Sequence, residues 1–330
     1  MRLMSYNIEW FTKAFNKDNT MKTDADAAKQ LDAVAEVLQR TEPDLIGITE
    51  APNSAASGTQ STVKCLEGFA KAKGLRQTKA MIGYGSAGQQ EIALMYDPTK
   101  LSAKHDPGGS ATAKKNPTFN RQFEVDSDGD DIREVYKHYR PPLEAKITRK
   151  DGGKNFWLIV AHAKSKGIFN NTDRMNFDRI SARNRRKLFA ECTSIRDRVD
   201  EFLDKKRDVV VMGDMNDGPG FDFYEQQFKH SAVELIMGDI FEPDRVLRNY
   251  VGRPKWGNYG WSPASARFTD TFTHKPVNVL IDHVLASVGI APKGKSPGKV
   301  WNPYELKEDQ ATKKLYTDAS DHFPVTLDID

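Results

Sequence analysis

Residues 208–220 read DVVVMGDMNDGPG, a run of four apolar residues and a glycine followed by two acids and an amide. The apolar run is short and β-branched, which is typical of a strand that is buried on both faces of a sheet. Gly213 is expected to end this strand, so that Asp214, Asn216 and Asp217 emerge at its carboxyl end. These polar residues are also ordinary turn formers, so the rest of the chain must distinguish a turn from a site.

Similar apolar runs recur along the 330 residues of the chain, with helical patterns between several of them. Alternation and composition predict strands at residues 2–8, 44–50, 92–96, 143–149, 156–162, 208–214, 279–287 and 323–329. Apolar residues at helical spacing predict helices over residues 23–38, 62–73 and 179–206. Because strands and helices mix throughout and no low-complexity linker divides the chain, we predict an α/β class and a single domain spanning residues 1–330.

Polar segments between these elements predict loops, a turn and a helix cap. Two long segments, 102–122 and 290–315, are expected to be surface loops. The stretch VDSDGDDI at 125–132 resembles a calcium loop, but its glycine is misplaced and the required Glu is missing, which favours a hairpin turn. Thr23 and Asp26 are expected to cap the first helix.

The composition limits the classes of protein to which the chain can belong. Apolar residues make up 38% and charged residues 29%, as in ordinary soluble globular proteins. No run is long enough to span a membrane, and the opening MRLMSYNIEWF predicts a strand instead of a signal peptide, so we expect a cytoplasmic protein. Cys65 and Cys192 are far apart in sequence, which indicates neither a disulfide framework nor a structural zinc site.

Positive charge is concentrated in one segment of the chain. The formal net charge is only +3, but residues 164–187 carry eight basic and two acidic side chains, so the rest of the chain is net acidic. The basic residues are Lys164, Lys166, Arg174, Arg179, Arg183, Arg185, Arg186 and Lys187. Such clusters are often only solvated helix faces, but this one follows a candidate catalytic histidine, which favours contact with a polyanion.

Polar residues interrupt or end the predicted strands in six separate segments. They are Asn7, Glu50, His162, Asp214 with Asn216, Asp282, and Asp321 with His322. Each has an ordinary structural explanation, such as a turn former, a hydrogen-bonded core histidine, a buried ion-pair partner or a helix cap. Because these explanations would have to coincide in six segments, we interpret the residues as parts of one site.

The side-chain types in this set suit metal-assisted hydrolysis of a phosphate ester. Magnesium prefers carboxylate and carbonyl oxygens and is usually held by one or two protein carboxylates, so Glu50 is the natural ligand. Asn7 and Asp321 can add oxygens or position metal-bound waters. The histidines suit proton transfer and charge stabilisation, and Asp282 can fix the tautomer of one of them. The sequence has no H-E-x-x-H motif, Cys/His cluster or P-loop, which disfavours zinc hydrolases and P-loop nucleotide hydrolases.

An ordered series of motifs resembles that of the endonuclease/exonuclease/phosphatase superfamily, which has the deoxyribonuclease-like fold. The motifs are SYNIEW, GITE, YRPPLEAKI, VAHAKSKG, GDMND, IDHVLAS and SDHFPV, and they extend from the first predicted strand to the last. The resemblance implies a four-layer α/β sandwich, with two central mixed β-sheets packed face to face and helices outside. It also implies an active site at one edge of the sheets.

The resemblance further implies a role for each matching residue. Glu50 corresponds to the principal ligand of magnesium, and manganese can replace the magnesium. Asn7 is implied to contribute to the metal or phosphate site, and Asp321 to complete the metal site. Asp214 is implied to activate the attacking water, and Asn216 to orient that water and the substrate.

Four other matching residues are implied to act on the phosphate. His322, paired with Asp282, acts as a base or as a stabiliser of the transition state. His162 donates to a phosphate oxygen or to the leaving group, and Arg140 of the YRPP motif grips the phosphate. Members of the superfamily differ in which group is the base, so Asp214 and His322 both stay open for that role.

The substrate is expected to be DNA or RNA. The sequence HAKSKG resembles the H-x-K-S-K of several bacterial nucleases, which implies that Lys164 and Lys166 bind flanking phosphates. The segment FTDTFTHKPVNVLIDH departs from the N-x-G-W-R-x-D of abasic-site endonucleases, so abasic-site repair is disfavoured. A phosphatase or phosphodiesterase acting on a lipid or other small phosphate ester is the alternative, because such enzymes share the same core motifs. A catalytically inactive binding module is disfavoured, because every metal and water residue of the series is present.

Overall fold

The computed structural model describes residues 1–54, 60–113, 116–127, 131–168, 176–218, 230–251, 253–254, 261–269 and 274–330, and the structural statements below concern these residues. Its helices are α1 (Ala25–Thr41), α2 (Thr62–Ala72), α3 (Phe177–Asp204), α4 (Ala232–Met237) and α5 (Gln310–Ala319), and a 3₁₀ turn spans Phe11–Ala14. Its strands are β1 (Arg2–Asn7), β2 (Leu45–Ala51), β3 (Lys79–Ile82), β4 (Glu91–Tyr96), β5 (Leu101–His105), β6 (Gln122–Val125), β7 (Glu134–Lys137), β8 (Leu143–Arg149), β9 (Phe156–His162), β10 (Val209–Asp214), β11 (Arg248–Asn249), β12 (Arg253–Pro254), β13 (Trp261–Ser262), β14 (Ala266–Thr269), β15 (Pro276–Val279), β16 (Asp282–Ala286), β17 (Gly298–Val300) and β18 (Val325–Asp328).

Two mixed six-stranded sheets form the centre of the molecule. The first sheet has the order β17-β18-β1-β2-β4-β3 and the second has the order β11-β16-β10-β9-β8-β5. β1 pairs with β2, and β9 with β10, in parallel. The other described pairs within these two sheets are antiparallel. Short ribbons of two strands, β6-β7, β12-β13 and β14-β15, lie outside the sheets.

The two sheets pack face to face through alternating apolar side chains. Val210 and Met212 of β10 lie in the core between the sheets, and a Cβ on Gly47 of β2 would lie 2.7 Å from Met212 Cε. Val209 and Val211 point to the opposite face, where they pack with α3 and α4. Because successive residues of a strand face opposite sides, this register buries both faces of β10. The prediction of a doubly buried strand is confirmed.

The helices supply the two outer layers. Leu31, Val34 and Leu38 of α1 belong to the core of the first sheet, and Leu188 and Ile195 of α3 pack against the outer face of the second. These layers confirm the α/β class and the four-layer sandwich. None of the helices in the described part of the chain is long and apolar enough to cross a bilayer.

Gly213 does not end its strand, so that prediction is wrong. Its φ is 137°, and a Cβ there would lie 1.8 Å from the carbonyl oxygen of Ala161 on β9. Only glycine, which has no Cβ, allows the backbones of β9 and β10 to approach so closely. The two strands therefore stay paired at Gly213, and the pairing continues to Asp214. The glycine therefore serves to bring Asp214 into register beside β9. The turn predicted after β10 includes Pro219 and Gly220, which lie outside the described residues.

Other local predictions are confirmed in part. The hairpin expected around 125–132 is formed by β6 and β7, although residues 128–130 lie outside the described range. Asp24 caps α1 by accepting a hydrogen bond from the N–H of Ala27 at 3.0 Å, so the predicted cap at Thr23 is wrong. The predicted loops 102–122 and 290–315 are partly wrong, because β5 occupies the start of the first, and β17 and the start of α5 lie in the second. Edge strands such as β5 carry polar residues like those of loops.

Candidate active site at one edge of the sandwich

The polar strand ends meet at one edge of the sandwich because of the strand directions. The parallel strands β1, β2, β9 and β10 end with or near the side chains of Asn7, Glu50, His162 and Asp214. β16 and β18 are antiparallel to their neighbours, so Asp282 at the start of β16 pairs in register with Asp214, and His322 precedes β18. A hydrogen bond of 3.0 Å from Asn7 Nδ2 to Asp214 Oδ2 joins the two sheets there.

Asp214 is the centre of the cluster and is 2% exposed. Its Oδ1 accepts a hydrogen bond from the backbone N–H of Asn216 at 2.8 Å, and its Oδ2 accepts the one from Asn7. The same Oδ2 lies 3.5 Å from Nε2 of His162 and 4.0 Å from Nε2 of His322. The predicted site residues of four strand ends therefore converge on one carboxylate.

His322 is held by a buried hydrogen-bonded pair. Its Nδ1 lies 2.8 Å from Oδ2 of Asp282, and the hydroxyl of Ser265 donates to the same oxygen at 2.8 Å. Ser265 Oγ also accepts the backbone N–H of Asp282 at 2.9 Å. Because Nδ1 donates to Asp282, the ring directs its Nε2 towards Asp214.

His162 and His322 face the same carboxylate but differ in charge, because one ring is neutral and the other is protonated. Burial, aided by the cations of Arg140 and His322, lowers the pKa of His162 well below its usual value. Burial also opposes protonation of His322, but the carboxylates of Asp282 and Asp214 outweigh it and raise the pKa of His322 to about 10. Burial, together with Asp282, raises the pKa of Asp214 to about 6. Near neutral pH the site thus holds an imidazole, an imidazolium and a carboxylate.

A second group of carboxylates lies beside this cluster. Oε2 of Glu50 accepts the backbone N–H of Trp10 at 2.9 Å, and Oδ1 of Asp321 lies 3.8 Å from Nε2 of His322. Burial, and then the charges of Asp321 and Glu50, raises the pKa of Glu9. Burial is also the main cause that raises the pKa of Asp321, with repulsion from Glu50 adding to it. Glu9, Glu50 and Asp321 therefore share one region of negative potential.

The residues in this region fit a hard divalent cation. Oδ1 of Asn7 is buried and has no hydrogen-bond partner among the described residues. Two carboxylates, Glu50 and Asp321, lie in the same region, and the charge of Glu50 disfavours ionisation of Asp321. An amide oxygen with carboxylate oxygens is the donor set that magnesium prefers.

Asp214, Asp282 and His322 also offer potential ligand atoms within 4.8 Å of one another. However, Nδ1 of His322 is engaged by Asp282, and the raised pKa of the ring keeps it protonated near neutral pH. A metal needs a neutral imidazole, so this trio fits charge stabilisation better than metal binding.

Three residues of the site have left-handed backbone conformations. The φ angles are 46° for Trp10, 59° for Glu50 and 51° for Asn216. Glu50 also lies where the pairing of β2 with β4 shifts register. Such conformations cost free energy in residues other than glycine and concentrate at functional sites, where the surrounding structure holds them.

Arg140 reaches the site from the segment before β8. Its Nη2 donates to the carbonyl oxygen of Ala163 at 3.2 Å, and its Nη1 donates to Oε1 of Gln90. Nδ2 of Asn216 donates to the same carbonyl of Ala163 at 3.0 Å. The charges of Asp214 and Glu50 act on the guanidinium, whose pKa is nevertheless lowered by burial. Arg140 therefore lies within the electrostatic influence of the carboxylates of the site.

The structure separates the two lysines that the sequence grouped together. Nζ of Lys166 lies 2.6 Å from Oδ1 of Asp217, a buried carboxylate that also accepts the backbone N–H of Ala232 at 2.6 Å. Lys166 thus helps to hold the loop after β10. Lys164 is half-buried, and burial lowers its pKa, with Arg140 and neighbouring cations contributing. Of the basic segment, Arg174 lies outside the described residues.

Four residues near the site were missed by the sequence reasoning: Glu9, Gln90, Glu191 and Ser265. Glu9 follows Asn7 by two positions in the first motif, which is a usable signal because Asn7 ends β1 and Glu9 lies in the segment directly after it. Gln90, Glu191 and Ser265 lie in segments without any recognised motif. Only the folded chain brings them to Arg140, Lys164 and Asp282.

Comparisons with known proteins identify the class that this fold and site define. The model of the Endonuclease/Exonuclease/phosphatase family matches residues 4–322, so the chain belongs to this family. Members of the family are metal-dependent phosphoesterases. No curated protein matches the chain at the sequence level.

Solved structures share the fold at low sequence identity. A truncated TDP2 of Caenorhabditis elegans has a TM-score of 0.52 at 12% identity, with 98% of this chain and 95% of that chain covered. TDP2 of D. rerio, complexed with a single-strand DNA product, has a TM-score of 0.52 at 10% identity, with 100% and 98% covered. An endonuclease/exonuclease/phosphatase from Bacteroides vulgatus has a TM-score of 0.50 at 16% identity, with 100% and 98% covered. These similarities establish the fold.

Proposed function

We propose that residues 1–330 form one catalytic domain, a magnesium-dependent phosphodiester hydrolase that acts as a nuclease on DNA or RNA. The observation that carries the proposal is the convergence of His162, His322 and Asn7 on the carboxylate of Asp214. A structural relative in complex with a single-strand DNA product supports nucleic acid as the substrate class. Two unpaired buried thiols, Cys65 and Cys192, are compatible with residence in the reducing cytoplasm.

We assign the metal to Glu50, Asn7 and Asp321. Their oxygens match the preference of magnesium, and manganese accepts the same donors. When bound, the cation supplies Lewis-acid stabilisation of the negative charge that develops on the phosphate oxygens.

The side chains around Asp214 can perform the proton transfer and the charge stabilisation. In the reaction the oxygen of a water forms the new bond to phosphorus, its proton passes to Asp214, and the bond to the leaving oxygen breaks. Asn216 orients the water and the phosphate. The imidazolium of His322 stabilises the developing charge, because its raised pKa makes it a poor base near neutral pH. We therefore assign the base to Asp214.

Two further groups act on the phosphate itself. His162 is neutral because burial lowers its pKa, so it can donate a hydrogen bond without carrying charge. Arg140 presents its guanidinium beside the same carboxylate region, and its Nε is buried without a partner among the described residues. This donor is available to a phosphate oxygen.

The substrate assignment is tested by a hydrolysis panel with magnesium: duplex DNA, single-stranded DNA, RNA, a generic phosphodiester, a phosphomonoester and a lipid phosphodiester. We expect nucleic acid to be cleaved most efficiently, with binding that weakens with salt at a log-log slope of about −0.7 to −0.9 per phosphate contacted. Hydrolysis of the lipid or the monoester alone would support the alternative, a phosphatase or phosphodiesterase of small esters. Salt-independent binding of nucleic acid would also contradict the nuclease assignment.

Metal dependence provides the next prediction. Activity is expected to vanish with excess chelator and to return with magnesium or manganese. Glu50→Gln removes one anionic ligand and should raise the magnesium concentration needed for half-maximal activity by at least about tenfold. A metal titration of activity measures this. Glu36→Gln, on the exposed face of α1, is the control for loss of a carboxylate. Full activity in excess chelator would overturn the metal assignment.

The pH profile tests the assignment of base and stabiliser. Asp214 must be ionised to accept a proton, so kcat/KM should rise through pH about 6 as the raised pKa of this carboxyl is passed. The imidazolium of His322 is lost only near pH about 10, so activity should fall there. A rise that persists in Asp214→Asn would instead assign the base to another group.

A further inference from the structure

Glu191 is a buried carboxylate that underlies the loop after β9. It lies on α3 and is 3% exposed, and its Oε2 accepts the backbone N–H of Lys164 at 2.8 Å. Its Oε1 lies 3.8 Å from Nζ of Lys187, one helical turn earlier. Burial raises the pKa of Glu191, while Lys187 and Arg140 act in the opposite direction. This carboxylate therefore fixes both a loop next to His162 and the position of a lysine on α3.

Cations outnumber the carboxylate in this region. Arg183, Lys187 and Glu191 follow one another at intervals of four residues, so they form one stripe along α3. Lys164 interacts electrostatically with Glu191, Arg140, Lys187 and Arg183. Along the stripe, Glu191 is buried, Lys187 is half-buried and Arg183 is exposed. The excess positive charge thus becomes more exposed with distance from the catalytic residues.

The stripe begins directly beside the candidate active site. Lys164 follows His162 by two residues, and the intervening Ala163 accepts hydrogen bonds from Arg140 and Asn216. The charge of Asp214 acts on the guanidinium of Arg140, whereas Lys187 and Arg183 lie one and two turns before Glu191 on α3. A series of cations that leads away from the reacting phosphate matches a backbone with phosphates at regular intervals.

We propose that Lys164, Lys187 and Arg183 form a subsite for a second phosphate, the phosphodiester next to the scissile one in a nucleic acid strand. Glu191 positions the subsite by holding the loop and Lys187. The inference rests on the proposed function and adds the residues that recognise the neighbouring phosphate. In this proposal Lys187 and Arg183 take the role that the sequence motif implied for Lys166, because Lys166 is held by Asp217.

The first test uses p-nitrophenyl esters that differ by one phosphate. Thymidine 5′-(p-nitrophenyl phosphate) is compared with the same ester bearing a 3′-phosphate, and thymidine 3′-(p-nitrophenyl phosphate) with its 5′-phosphorylated form. In at least one pair, kcat/KM for release of p-nitrophenol should be higher with the second phosphate. Lys187→Ala and Arg183→Ala should each reduce this ratio, and the double variant should abolish it. Lys205→Ala, near the far end of α3, is the matched control and should leave the ratio unchanged.

The second test compares two variants for which we expect opposite changes in the affinity for a nucleic acid strand. Glu191→Gln keeps an oxygen that can accept the N–H of Lys164 but removes the negative charge behind the cations. It should therefore strengthen binding of a nucleic acid strand, whereas Lys187→Ala should weaken it and flatten the salt slope by about one unit. If Glu191 only holds the structure together, Glu191→Gln and Lys187→Ala should both bind the strand more weakly than the unmodified protein.

The outcomes distinguish the subsite from the proposed function. If neither the esters nor any nucleic acid of the hydrolysis panel is cleaved, the proposed function is overturned. If only the polymers are cleaved, the binding comparison of Glu191→Gln with Lys187→Ala decides the subsite. If the esters are hydrolysed with equal kcat/KM in both pairs, or if the ratio survives in the double variant Lys187→Ala/Arg183→Ala, the subsite is overturned and the hydrolase remains.

Discussion

Asp214→Asn is expected to lower kcat by about 10²–10⁴-fold, the range that a positioned general base contributes. The amide retains the size of the side chain and can still accept the backbone N–H of Asn216, but it cannot take a proton from water. It also removes the negative charge that Oδ2 presents to His162 and His322. The measurement is single-turnover hydrolysis of the best substrate in saturating magnesium.

Two comparisons make this result specific to the base. The rise of activity near pH about 6 should disappear in Asp214→Asn, because the titrating carboxyl is gone. Asp32→Asn, at an exposed position of α1, should leave kcat and the profile as they are. If Asp214→Asn loses less than about tenfold, which is below the range of a general base, the carboxylate is not the base and the role passes to His322.

Arg198→Met is expected to lower the free energy of unfolding by about 3–5 kcal/mol, the cost of leaving a buried charge unpaired. Nη1 of Arg198 lies 2.7 Å from Oε1 of Glu144, and both side chains are 1% exposed. Nη2 donates to the carbonyl oxygen of Pro117 at 2.8 Å. The substitution therefore leaves a buried carboxylate without its guanidinium partner and a buried carbonyl without the donor that Arg198 supplies. Urea unfolding followed by circular dichroism measures the loss.

The pH dependence identifies the unpaired carboxylate as the cause. Burial raises the pKa of Glu144 to about 7 even with the guanidinium present, and removal of Arg198 should raise it further. The folded form of the variant then favours a protonated Glu144, so its destabilisation should be smaller at low pH and grow as pH increases. Adding Glu144→Gln should restore part of the stability, because the amide is neutral and can still accept the N–H of Gly108.

A matched control separates this buried pair from a surface pair. Arg40→Met breaks the exposed pair with Glu36 on α1 and should cost about 1 kcal/mol or less. If Arg198→Met costs no more than Arg40→Met, the buried pair does not hold α3 to β8 in the way the contacts indicate.

The central strands and their polar ends could be predicted from the sequence. The run VVVM buries both faces of its strand, and a local pattern is sufficient to indicate this. The incorrect predictions are local as well: the polar residues of the edge strand β5 predict a loop, and Gly213 predicts a strand end. Only the neighbouring backbone at Ala161 explains that glycine.

The charges within the site could not be predicted from the sequence. His162 ends one apolar segment and His322 precedes another, so their sequence contexts are similar. Burial beside Arg140 nevertheless keeps His162 neutral, whereas Asp282 keeps His322 protonated. The pKa of a buried imidazole depends on charged groups that are far away in the sequence, so no local sequence pattern predicts it.

The sequence by itself therefore determined the α/β class, the central strands and the list of polar residues at their ends, because strand periodicity and motifs are local properties. The tertiary structure decided which of these residues act together. Asn7 bonds to Asp214 across 207 positions, and Glu191 holds Lys164 while Asp217 holds Lys166. Hydrogen bonds and Coulomb energies depend on distance in space and on burial, and both arise only when the two sheets pack and bring distant segments to one edge.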